Sequence, residues 1–153
     1  MIESEVIEKI NNLTDGEIEL RLVSAFANSQ QYYYKIYLNN SGIEVGRCGI
    51  RLKRSLQNEY LGNIEYEIDT QFQGNNYAFK ASLLLGDVAK FFGATNLLIT
   101  TSPTNFASIK TIQKLGGVFI GTTDVPKNMH LHKTSKEVAV YSWNIKKEGR
   151  NIW

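Results

Sequence analysis

The sequence predicts a mixed α/β fold, with a mainly antiparallel central sheet, a parallel βαβ core and flanking helices. Three observations carry this. Apolar and charged residues alternate with period two through much of the first half. A strand–helix–strand run occupies Asn63 to Thr101. Two further strand-like runs, Val118 to Thr122 and Glu137 to Ile145, follow it and close the sheet.

The elements follow in chain order. Ile2, Val6, Ile10 and Leu13 recur at helical spacing and predict a short amphipathic helix. Asp15-Gly16 turns the chain. From Glu17 to Phe26, Ile18, Leu20 and Leu22 alternate with Glu17, Glu19 and Arg21, a strand with one wet face. Tyr32 to Leu38 and Ile43 to Leu52 flank the turn cluster Asn39-Asn40-Ser41-Gly42 and form a hairpin. Asn63 to Asp69 alternates again, and Thr70 to Asn76 is a loop. Tyr77, Ala81, Leu84, Leu85, Val88 and Phe92 share a helical face, which Gly93 ends. Asn96 to Thr101 is almost wholly apolar, as in a strand covered on both sides. Asn105 can cap a helix carrying Ile109, Ile112 and Leu115, with Gly116-Gly117 as its stop. The two strands of the βαβ unit are expected to run parallel with a right-handed crossover.

With 153 residues the chain fits one domain, spanning 1–153. It is 42% hydrophobic and 21% charged, which speaks against disordered or fibrous classes. A net charge of +2 is too small for a nucleic-acid partner, and the basic run Arg47 to Arg54 alternates like a solvated strand face. Cys48 is the only cysteine, so no internal disulfide forms, and strand packing is its expected role. No signal-peptide core precedes Leu13, and no run approaches the roughly 20 apolar residues of a membrane span. A cytoplasmic protein with no membrane partner is the expectation; a homodimer is compatible with the sequence.

Chemistry is most legible where the first βαβ strand hands over to its helix. Gln73-Gly74-Asn75-Asn76 precedes Tyr77-Ala78. A helix start offers unpaired N–H groups and the positive end of a dipole, where a phosphate fits without a dedicated basic residue. Gly74 lets a backbone approach an anion, and Asn75 and Asn76 tolerate positive φ. Many βα turns use the same residues merely to make a corner, so both readings stand on this segment alone. No G-x-x-x-x-G-K-[ST] occurs, and no G-x-G-x-x-G follows a strand.

These residues resemble the GNAT superfamily of acyl-CoA-dependent N-acetyltransferases. The family's phosphate loop reads Q/R-x-x-G-x-G/A. Gln73 and Ala78 match its ends, while Asn76 stands at the first glycine. Ile68-Asp69-Thr70-Gln71-Phe72 resembles the V-x-P-x-Y run before it. Asn105-Phe106-Ala107-Ser108, followed by Lys114-Leu115-Gly116-Gly117-Val118-Phe119, resembles N-x-x-S/A and then K-L-G. Two motifs in this order are far more specific than either alone; the likeness runs from Ile64 to Phe119. Val138 to Trp143 is similar to the last strand of many members.

The resemblance implies acetyl-CoA as cosubstrate and the amine of a small molecule or protein as acceptor. It implies that the backbone around Ile68 pairs with the pantetheine arm and that N–H groups from Gln73 through Gly74, Asn75, Asn76 and Tyr77 to Ala78 hold the diphosphate. Asn105 and Ser108 are implied on the far side of the cofactor, and Lys114 near its ribose phosphate. Asn105 is equally well explained as a helix cap. Two features depart from the family pattern. Its tyrosine acid falls here on Ile112. The two helices that shape its acceptor groove have no room in Ala27 to Gln31. The N-terminal helix is one substitute for them, and a more open acceptor site is the other.

Acetylation of an amine needs the free base. Deprotonating a lysine-type amine of pKa about 10.4 at pH 7 costs roughly 4–5 kcal/mol, so a general base helps. A thiol of pKa about 8.5 leaves well without a dedicated acid. Glu65 and Glu67, on one face of the strand beside the thioester, are the candidate bases, with solvated strand charge as the plain alternative. Tyr66 and Tyr141 are candidate proton donors or packing residues. His130 and His132 lie at i, i+2 with no third metal ligand in view, so no metal is expected. Three classes therefore compete: an N-acetyltransferase, a GNAT-like module binding CoA or acyl-CoA for sensing or scaffolding, and an unrelated α/β interaction domain.

Overall fold

The computed structural model describes residues 2–53, 55 and 58–148. Arg54, the end of the basic run, lies outside them. Helix α1 spans Glu3–Ile10, then β1 (Asn12–Thr14), β2 (Ile18–Phe26), β3 (Gln31–Leu38) and β4 (Glu44–Arg51). A short helix α2 (Asn58–Leu61) leads to β5 (Ile64–Ile68), and α3 (Tyr77–Phe91) follows. Then come β6 (Asn96–Thr101), α4 (Phe106–Leu115), β7 (Val118–Asp124), β8 (Glu137–Asn144) and α5 (Ile145–Glu148). The mixed α/β fold and its principal elements are those expected. Leu13 is a difference: it leaves the helix, and with Asn12 and Thr14 pairs antiparallel to β2.

The strands form two sheets. One has the order β1-β2-β3-β4-β5, the other β6-β8-β7, and every ladder is antiparallel. The parallel pairing expected of the βαβ unit is therefore not built as a ladder. Asn63 N–H donates to Leu98 O at 2.7 Å and Asn63 Oδ1 accepts from Leu98 N–H at 2.7 Å. Among the described residues no backbone bond beyond this clasp joins β5 to β6. Beyond it β6 finds its partner in β8, while β5 keeps β4 on one side and an unpaired edge on the other.

Alternation assigns the faces. Tyr34, Cys48 and Tyr66 stand in register across β3, β4 and β5. Their face meets the helices. Tyr34 Oη donates to Ile10 O of α1 at 2.8 Å, and Tyr32, two residues away, stacks on Phe92 after α3 with centroids 5.4 Å apart. The core here holds Ile18, Leu20, Ile36 and Ile50 of the sheet with Leu84, Leu85 and Val88 of α3. Trp143 of β8 is wholly buried, and its ring explains a glycine in mid-helix: a Cβ on Gly86 would stand 2.8 Å from it. Among the described residues, no helix is long and apolar enough to cross a membrane.

Candidate active site

Where the sheets part, a cleft of about 490 Å³ opens. Tyr66, Glu67 and Ile68 of β5 form one wall, and Asn105, Ala107, Ser108, Lys110 and Thr111 of α4 form the other. Phe72, Gln73, Gly74, Asn76, Tyr77 and Ala78, ahead of and within the start of α3, close the end. Ten sequence-predicted residues thus meet in one place: Tyr66, Glu67, Ile68, Gln73, Gly74, Asn76, Tyr77, Ala78, Asn105 and Ser108.

The α3 start is shaped by backbone conformation. Gly74 has φ +90° and Asn76 φ +63°, both left-handed, and a Cβ on Gly74 would meet nothing within 4 Å. Asn76 occupies the N-cap without a capping side-chain bond, and no acidic residue stands in the first turn. The orphan N–H groups and dipole end of a 15-residue helix are thus offered to the cleft uncapped by side chain or carboxylate. Gln73 Nε2 donates to Ile68 O at 3.1 Å and ties the loop to the strand. Asn75 is not among the lining residues; its Nδ2 donates to Phe72 O at 2.9 Å.

Lys114 is elsewhere too. Its ammonium lies 4.6 Å from the centroid of the Phe79 ring, stitching α4 to α3. The cation that lines the cleft is Lys110, which the sequence reading missed together with Phe72, Ala107 and Thr111. Carrying the helical period of Asn105 and Ser108 forward to Thr111 would have found part of this wall.

Across the cleft, the Tyr66 and Ser108 hydroxyls are 2.9 Å apart, and Ser108 N–H donates to Asn105 Oδ1 at 3.2 Å. Burial pushes the Tyr66 phenol above its ordinary value against a smaller opposing pull from Ser108, so it is a neutral hydroxyl at pH 7. Ile112 is wholly buried and offers no proton. Tyr141 is buried with its ring edge-on to Phe119 at 5.5 Å, a packing residue outside the cleft. Cys48 is buried, and the loss of solvation raises its thiol pKa.

Glu65 and Glu67 stand in the rows Tyr33–Gly49–Glu65 and Lys35–Arg47–Glu67, on the face opposite to that of Tyr66; Glu67 also lines the cleft, and Glu65 is not among its lining residues. Helix α1 lies on the opposite face with α3, where Ile10 O accepts from Tyr34 Oη. Ala27–Ser29 forms only a 3₁₀ turn between β2 and β3. The carboxylates are consequently exposed, Glu65 by 54% and Glu67 by 73%. Glu65 is ion-paired with Arg51, and Glu67 with Arg47 at 2.6 Å. His130 is exposed on the loop before β8, and among the described residues no three potential metal ligands gather.

Two sheets joined at one clasp thus part around a cleft with the uncapped start of α3 at its end. A family model described as an acetyltransferase (GNAT) domain matches residues 4–118, and the chain belongs to that family. No curated protein sequence matches it. Among solved structures it is similar to the ribosomal-protein-S5-alanine acetyltransferase of Vibrio fischeri, with TM-score 0.67 and 12% identity over 91% of this chain and 99% of that one. An acetyltransferase from Agrobacterium tumefaciens str. C58 gives TM-score 0.65 and 16% identity over 87% and 94% of the two chains. The microcin C7 self-immunity acetyltransferase MccE, solved in complex with acetyl-CoA and AMP, gives TM-score 0.59 and 20% identity over 76% and 62%. At these identities the likeness is one of fold.

Proposed function

We propose that this protein is an N-acetyltransferase that moves an acetyl group from acetyl-CoA to a primary amine of a small molecule or protein. The carrying observation is the cleft itself, which combines an uncapped helix start, a neighbouring lysine and an unpaired strand edge. Those donors suit a diphosphate followed by an extended amide-bearing arm. Acetyl-CoA supplies an acetyl thioester whose sulfur leaves readily.

The residues of this chain would do the rest. N–H groups around Gly74 to Ala78, with Lys110, hold the diphosphate, and the edge of β5 near Ile68 aligns the arm. Glu65 or Glu67 takes the proton that the attacking amine must lose. Tyr66 holds a proton for the departing sulfur, in the place of the acid absent at Ile112. The lone buried thiol suits a reducing compartment, and we place the action in the cytoplasm. Calorimetry with acetyl-CoA, followed by free-thiol release across an amine panel, tests this. No binding at millimolar cofactor sinks the proposal.

A second reading has one observation in its favour. With Ile112 where the family's tyrosine stands, the domain could hold a CoA species without turning it over. Tight binding with no thiol release from any amine selects this reading.

A further inference from the structure

Glu65 and Glu67 share a face of β5, but they are anchored differently. Arg47, the partner of Glu67, is 46% exposed and also reaches Asp69 at 2.9 Å and Glu44 at 3.9 Å. Arg51, the partner of Glu65, is only 8% exposed. All three of its nitrogens are committed: Nη1 to Glu65 Oε1, Nε to Gly62 O at 3.3 Å and Nη2 to Leu61 O at 3.1 Å. A planar guanidinium held by two carbonyls presents its third bond in a fixed direction, which a flexible ammonium would not.

Those carbonyls belong to the clasp at which the sheets part. Arg51 brackets Asn63 with its own backbone: its N–H donates to Asn63 O at 2.7 Å and its carbonyl accepts from Asn63 Nδ2 at 2.8 Å. Gly62 has φ +76°, and a Cβ there would stand 3.0 Å from Leu98 O and Thr100 N. One arginine therefore links a carboxylate on the open face to the origin of the gap between β5 and β6.

We propose that Arg51 is a positioning residue that fixes Glu65, rather than Glu67, as the general base of acetyl transfer, through the Leu61–Asn63 clasp. This rests on the acetyl-transfer reading above. In the step, Glu65 first takes the proton that makes the amine an ammonium, directly or through one water; the freed lone pair then forms the C–N bond and the nitrogen gives its second proton to water. The C–S bond breaks with its electron pair on sulfur, which takes a proton from Tyr66.

The test uses two probe acceptors with acetyl-CoA: n-butylamine, almost wholly protonated at neutral pH, and hydroxylamine, largely free of its proton there. Glu65→Gln and Arg51→Ala should each slow thiol release with n-butylamine by about 100-fold, the low end of general-base effects. With hydroxylamine, once the enzyme-free rate at which it cleaves the thioester is subtracted, both should stay within about threefold of wild type, since its lone pair is already free. In the Glu65→Gln background, Arg51→Ala should add no further loss, the signature of a residue acting through another. Arg51→Lys should recover only part of the rate. Because Arg51 is buried, Arg51→Ala could unfold; Glu65→Gln changes an exposed group and decides the base on its own. A full rate with n-butylamine in Glu65→Gln overturns the inference, as does an equal fall with both amines or a further loss in the double variant. So does a wild type that binds acetyl-CoA yet releases no thiol to either amine. Absence of acetyl-CoA binding instead overturns the underlying reading of the cleft.

Discussion

Gly74 and Asn76 both carry left-handed backbone, and each is suited to it differently: glycine has no Cβ to strain, and asparagine is among the side chains best able to tolerate αL. A side chain at Gly74 would enter open space, so its cost would fall on backbone strain and on whatever occupies the cleft. Gly74→Asp adds a carboxylate at the proposed diphosphate seat. It should weaken acetyl-CoA binding by at least tenfold, about 1.4 kcal/mol, and calorimetry on the folded variant checks this. Unchanged affinity would remove the loop from the proposal. At Tyr66 the hydroxyl rather than the ring is the proposed actor. Tyr66→Phe should lower kcat by about tenfold or more while the acetyl-CoA KM moves little. Since burial raises this phenol, its loss as an acid should appear in the rate profile only above the ordinary phenol value of about 10.

At the scale of elements, α4 shows one side chain serving two ends. Asn105 Oδ1 accepts from the Ser108 N–H as a cap, and the same residue lines the cleft. The cap and ligand readings of this residue are thus compatible, and substitution separates them. Asn105→Asp keeps a good cap but puts an anion beside the cofactor site; melting should be preserved while acetyl-CoA affinity falls. Asn105→Ala should lose about 1 kcal/mol of stability, read by denaturant titration, as well as affinity. Loss of affinity in neither variant would leave Asn105 as a cap alone.

For the whole molecule, the same burial that stabilises the core makes it sensitive to base. The Cys48 thiol and Tyr34 phenol are both raised by desolvation on the helix-facing side of the sheet. A raised folded pKa contributes stability that is complete below the unfolded value and is lost as pH rises toward the folded one. The unfolded thiol titrates near 8.5 and the phenol near 10. Unfolding free energy should therefore decline from about pH 8.5, by roughly 1.4 kcal/mol per pH unit, and more steeply above about 10. Denaturant titrations across pH 7 to 11 would show it. In Cys48→Ala the first decline should vanish and only the later one remain.

The sequence by itself determined most of the elements, because each strand's alternation and each helix's apolar face is local information. Gln73 to Ala78 and Asn105 to Ser108 were readable for the same reason, as a turn chemistry and a cap. Tertiary structure decided the relations between elements. That β5 and β6 share a clasp and then part depends on Arg51, Asn63 and Leu98, far apart in the chain and brought together by packing. That Lys110 lines the cleft while Lys114 lies over Phe79 depends on how α4 rotates against α3. Leu13 continued a helical period, yet its burial is won in a strand, since pairing with β2 satisfies backbone that a fraying helix end would leave open. Local pattern sets which face of an element is apolar; what that face meets is fixed only when the chain closes on itself.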